Sequence, residues 1–88
     1  MKTLLAIAAI LVCGVVEASA QRCIVADPTA TQLNVRTSPN GPRRGSMTLP
    51  NGMPVVILET SANGLWAYVR YAASGEEIGW VYRPYLDC

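Results

Sequence analysis

Histidine and phenylalanine are absent from the 88-residue chain, and lysine occurs once, at Lys2. Without histidine the chain lacks the usual general base at neutral pH and the commonest metal ligand. Charge of either sign is scarce: 7 Lys+Arg stand against 6 Asp+Glu, a net of +1. Such a balance excludes a strongly basic nucleic-acid binder and a polybasic membrane anchor. The length allows one domain at most, which excludes a two-domain enzyme. No segment after residue 20 carries a sustained helical period. No metal-ligand cluster is present. Gly45-Ser46 precedes a short extended stretch rather than a helix, so there is no phosphate loop. Neither a metal nor any other cofactor is expected.

The first twenty residues read as an export signal. Met1-Lys2 is a short positive start, Leu4 to Val16 is an apolar run broken only by Gly14, and Ala18-Ser19-Ala20 offers the small residues a signal peptidase needs. The run is shorter than the ~20 residues that span a bilayer. Cys13 opens a lipoprotein alternative, but Val12 stands where a lipobox has a small residue. The expectation is a domain over residues 21–88, exported to a periplasm or the extracellular medium, with no stable membrane insertion after cleavage.

Two cysteines remain in that domain, Cys23 and Cys88. In an oxidising compartment an even count reads as a disulfide, and two cysteines allow one intramolecular pairing. Closing a loop that long stabilises by ~4 kcal/mol in the chain-entropy view. A domain of this size has a thin core and usually needs such a staple. A redox thiol is the competing reading, but there is no Cys-x-x-Cys and no nearby cation to lower a thiol pKa.

Short runs of Val, Ile, Thr, Tyr and Trp alternate with Pro-Asn-Gly, Asn-Gly and Ser-Gly punctuation. Strands are expected at Cys23–Ala26, Leu33–Arg36, Met47–Leu49, Val55–Thr60, Leu65–Tyr71, Ile78–Tyr82 and Tyr85–Leu86, with a loop from Thr37 to Ser46. Leu33 and Val35 should point inward. The fold class is all-β, a small barrel of five to seven short antiparallel strands, its ends joined by the disulfide.

Leu33-Asn34-Val35-Arg36-Thr37-Ser38-Pro39 resembles the Leu-Asn-Val-Arg-Ser-Gly-Pro opening of bacterial SH3-like (SH3b) domains. Leu49-Pro50-Asn51-Gly52 is similar to their Leu-Pro-x-Gly turn, and Val55-Val56-Ile57-Leu58 to the strand after it. Gly64-Leu65-Trp66-Ala67-Tyr68-Val69-Arg70 resembles Gly-x-Trp-x-x-Val, and Gly79-Trp80-Val81 with Tyr85-Leu86 resembles the closing Gly-Trp-Val and Tyr-Leu. These pieces fall in order over residues 24–86. One stretch departs: Arg43-Arg44-Gly45-Ser46-Met47 stands where the family usually places an aromatic and an Ile or Val. The resemblance implies an SH3-like barrel, here as a stand-alone exported module. It also implies a cell-wall or envelope ligand, such as peptidoglycan or its peptide.

All six aromatics lie in the last third of the chain. Trp66, Tyr82 and Tyr85 are the candidates for a ligand groove, since Tyr and Trp give contact area with a polar handle. With no Phe, some of these rings are also expected to fill the core. Trp80 and Tyr82 share one face by alternation, and Val81 takes the other. Trp66 and Val69 have opposite parity, so a bulge must separate them if both face inward. Arg43 and Arg44 are a candidate carboxylate clamp or else a solvated loop tip. Arg36 is expected to hold its loop through carbonyl groups. Glu76 and Glu77 point opposite ways and do not make a glycosidase pair. No hydroxyl has a base to activate it, so no catalytic residue is assigned and an enzyme is not expected. The expected function is binding without catalysis, to peptidoglycan or its peptide. The alternatives are a subunit that docks to an envelope protein or to itself, and, third, an inhibitor or effector acting on another cell. No nucleic-acid partner is expected.

Overall fold

Alternating side chains and tight turns leave this chain little choice but a sheet. The structure, a computed structural model, describes residues 20–29 and 31–88. The export signal expected over residues 1–20 therefore lies, apart from Ala20, outside the described residues. Seven strands form: β1 (Gln21–Val25), β2 (Leu33–Arg36), β3 (Arg43–Leu49), β4 (Pro54–Thr60), β5 (Trp66–Tyr71), β6 (Glu77–Tyr82) and β7 (Leu86–Asp87). A one-turn 3-10 helix, Arg83–Tyr85, joins β6 to β7, with Pro84 in the turn where its fixed φ is tolerated. All pairings are antiparallel, in the order β3-β2-β6-β5-β4-β1-β7. The sheet curls strongly into a half-barrel with β3 and β7 at its two ends.

The expected loop from Thr37 to Ser46 is shorter than its Gly and Pro content suggested. Arg43, Arg44, Gly45 and Ser46 lie in β3, all four exposed, with Gly45 at φ +57°. Two register irregularities bend the central strands. One lies on β4, where Leu58 is the extra residue between Ile57 and Glu59, and the other on β6, where Ile78 is the extra residue opposite Val69 and Arg70. Bulges of this kind increase local twist and help a sheet curl.

The concave side holds the core. Val25, Leu33, Val35, Leu49, Val55 and Val69 are fully buried there or nearly so, together with Ala67, Ile78 and Val81. The core is therefore aliphatic. Of the rings, only Tyr71 and Tyr85 pack against it, and both only in part. The expectation that some rings fill the core holds only at its margin, through Tyr71 and Tyr85, and small branched side chains fill the rest of so tight a curl. Trp66 is buried, but it pairs with Tyr82 on the opposite face from Ala67 and Val69. No bulge separates Trp66 from Val69, because the two do not share a side.

Cys23 and Cys88 are bonded, with their Cα atoms 4.3 Å apart. The bond follows from topology. β1 pairs with β7 through Ile24↔Asp87 and Val25↔Leu86, which brings Cys88 opposite Cys23. The link spans 65 residues of sequence. No helix among the described residues is long and apolar enough to cross a membrane.

Candidate aromatic groove

The convex face of β5 and β6 carries the rings that alternation sends away from the core. The register Trp66↔Tyr82 and Tyr68↔Trp80 places them in two cross-strand pairs. Their ring centroids lie 5.3 Å and 5.5 Å apart, both tilted. Such offset, tilted contacts favour an aromatic pair beyond the area it buries. Tyr85, on the 3-10 turn, meets Tyr82 edge-on at 5.0 Å. Trp66, Tyr82 and Tyr85 thus form one continuous row. From β2, the Arg36 guanidinium lies over the Trp66 ring, 5.7 Å from its centroid, within cation–π range.

Two loops flank this row, and each is fixed by its own hydrogen bonds. In the β2–β3 connection, Thr37 N–H donates to the Pro42 carbonyl (3.0 Å) and Gly41 N–H to that of Ser38 (2.9 Å). An Arg36 Nη1–H donates to the Gly41 carbonyl at 2.9 Å. In the β4–β5 hairpin, the Ser61 hydroxyl donates to Asn63 Oδ1 (2.7 Å) and accepts from Trp66 N–H (3.1 Å). Leu65 N–H donates to the same Asn63 oxygen at 3.0 Å. Arg83 N–H donates to the Leu65 carbonyl at 2.8 Å, tying the 3-10 turn to the hairpin.

Between the loops opens a cleft of about 670 Å³. Pro39 and Asn40 line one side, Asn63 and Leu65 the other, and Trp66, Trp80 and Tyr82 lie along it. A smaller hollow of about 230 Å³ adjoins it and shares Trp66 and Tyr82. Its other walls include Tyr85, Arg36, Asp27 and Thr31. A third hollow, of about 400 Å³, lies around Arg44, Tyr68 and Glu77.

Among the five residues expected to bind ligand, Trp66, Tyr82 and Tyr85 are together. Arg44 is apart from them, at the third hollow, where its guanidinium donates to the Ile78 carbonyl. Arg43 is exposed on β3 and lines none of the three hollows. The two arginines therefore do not form one clamp, since neighbours on a strand point to opposite sides. Arg36 does hold its loop through a carbonyl.

Sequence reasoning missed Trp80, Asn40 and Asp27. Alternation with Tyr82 already carried the signal for Trp80. Nothing in sequence marked Asp27, whose partner Asn51 is 24 positions away. Tyr68 donates to Glu77 at 2.7 Å. That bond holds its phenol above the ordinary tyrosine value, helped by partial desolvation and the Glu77 charge. No three His, Cys, Asp or Glu side chains gather into a metal-binding group among the described residues.

Fold and groove together define a class: a small, disulfide-linked, all-antiparallel β half-barrel with an aromatic cleft between two braced loops. No protein-family model, curated protein or solved structure matches the chain.

Proposed function

We propose that the domain is a non-catalytic binding module acting outside the cytoplasm, and that it holds cell-wall peptidoglycan or its peptide along the aromatic cleft. One observation carries this reading. Trp66, Trp80 and Tyr82 lie together on the convex face, flanked by loops that their own hydrogen bonds hold open. Rings on a rigid frame bind extended chains at little entropic cost. The choice of ligand rests on the SH3b resemblance of residues 33–39, 49–52, 64–70 and 79–81. The Cys23–Cys88 bond supports an oxidising, extracytoplasmic compartment.

Purified protein should co-sediment with insoluble peptidoglycan. Trp80→Ala and Tyr82→Ala should each remove most of the pelleted fraction, with the folded-state spectrum retained. These half-buried rings are better probes than Trp66, which is 9% exposed and costly to truncate. Wild-type protein that stays in the supernatant, yet is captured by an envelope protein through the same rings, would overturn the wall reading and favour a docking subunit.

A further inference from the structure

The smaller hollow differs from the main cleft in its chemistry. Asp27 forms part of its wall and is 7% exposed, the one buried charged residue among those described. The Asp27 backbone is locked to Asn51: its N–H donates to Asn51 Oδ1 (2.7 Å), and Asn51 Nδ2 donates back to its carbonyl (3.2 Å). Asp27 Oδ1 accepts from both the N–H and the hydroxyl of Thr29, at 2.8 and 2.5 Å. Asp27 Oδ2 accepts nothing from the described residues.

The direction of the adjoining bonds follows from proton count. A carboxylate has no proton to give, so the Thr29 hydroxyl spends its proton on Asp27. In the 2.9 Å contact between Thr29 and Thr31, Thr31 is then the donor. Its own oxygen accepts nothing from the described residues. This wall therefore offers acceptors, Asp27 Oδ2 and Thr31 Oγ1. Opposite stand the rings of Tyr82, Tyr85 and Trp66. The Arg36 guanidinium is engaged by the Gly41 carbonyl and the Trp66 ring. A buried carboxylate whose second oxygen accepts nothing from the described residues attracts a cation to complete it. Aromatic faces add to the attraction for a cation. A volume of about 230 Å³ suits a single group rather than a whole ligand.

We propose that this hollow binds a primary ammonium group, with Asp27 and Thr31 accepting its hydrogens and the Tyr82 and Tyr85 rings packing on its carbon stem. The inference deepens the groove reading and rests on it for the larger ligand: the amine would be carried by a chain lying in the adjoining cleft. Two sources share this chemistry, a free amino end of a peptide and an amino-bearing side chain.

The test is an amide NMR titration of the disulfide-bonded protein, produced from the full chain, with n-butylammonium. Saturable shifts are expected at Thr29, Thr31 and the Trp66 indole. Neither n-butanol nor butyrate should reproduce them. Asp27→Asn keeps the Oδ1 acceptor but replaces Oδ2 with a donor, and should weaken binding about tenfold or more. Triglycine amide and Nα-acetyl-lysine amide present the ammonium at a chain end and on a side chain. Tighter binding of one supports the site and assigns the source. Equal shifts with n-butanol, no saturable shift with n-butylammonium, or unchanged affinity in Asp27→Asn would overturn the proposal. The n-butanol and butyrate comparisons need no variant, so they decide even if Asp27→Asn folds poorly. Loss of amine binding with intact pelleting on peptidoglycan would sink this inference alone. Amine binding without pelleting would sink the wall reading alone.

Discussion

Gly79 shows at one residue how sequence and groove are coupled. Its φ is +149°, and a Cβ there would lie 2.7 Å from Val35 Cγ1 and 3.0 Å from the Arg36 carbonyl oxygen. Glycine thus lets β6 approach β2, and that approach sets Arg36 across from Trp80. Gly79→Ala should cost about 1–3 kcal/mol, the usual range for overpacking. A urea midpoint shifted to lower concentration at constant m-value checks it. The Gly-Trp-Val string was legible in the sequence, but the reason for its glycine was not, because the atoms it would meet belong to a strand more than forty positions earlier. Asp27 teaches the same lesson, since its bonds to Asn51 join segments that no local pattern relates.

At the scale of strands and turns, alternation served well and composition less well. Leu33 and Val35 face the core as their spacing implied, and Asn63-Gly64 makes the β4–β5 turn, with Gly64 at φ +78°. The stretch Arg43-Arg44-Gly45-Ser46 reads as loop because glycine and charge dominate it, yet it belongs to β3, anchored to β2 at Arg43 by pairing with Arg36. Two arginines on an end strand also discourage pairing with another chain's edge. The β5–β6 pair carries a pH signature in Tyr68 and Glu77. The folded state raises the Tyr68 pKa, so its protonated form is favoured there. The stability this adds is fully present below the unfolded value of 10.0 and is lost as pH rises through the higher folded value. An NMR titration of the Tyr68 ring should therefore give a midpoint above 10.0, and Glu77→Gln should lower it by removing the neighbouring charge. A Tyr68 midpoint unmoved by Glu77→Gln would contradict the assignment.

For the molecule as a whole, the disulfide offsets a thin aliphatic core. It ties β1 to the residue after β7, the first and last strands in sequence and neighbours at one edge of the sheet. Cys23→Ser with Cys88→Ser should lose ~4 kcal/mol if loop-closure entropy governs, and should melt well below the wild type. A melting temperature equal to the wild type would remove the staple from the account. Cysteine count and strand number could be read from sequence because both are one-dimensional quantities. Which rings face outward depends on how the sheet curls, and that was legible only in part: the Trp80–Tyr82 parity was, the outward burial of Trp66 was not. The most direct measurement of the central claim is amide and indole NMR mapping of the protein with soluble peptidoglycan fragments. Shifts should concentrate at Asn40, at residues 61–66 and at the Trp66 and Trp80 indoles, and leave Arg22 and Ile24 on β1 unmoved. Saturable shifts centred on β1, or none at the two indoles, would contradict it.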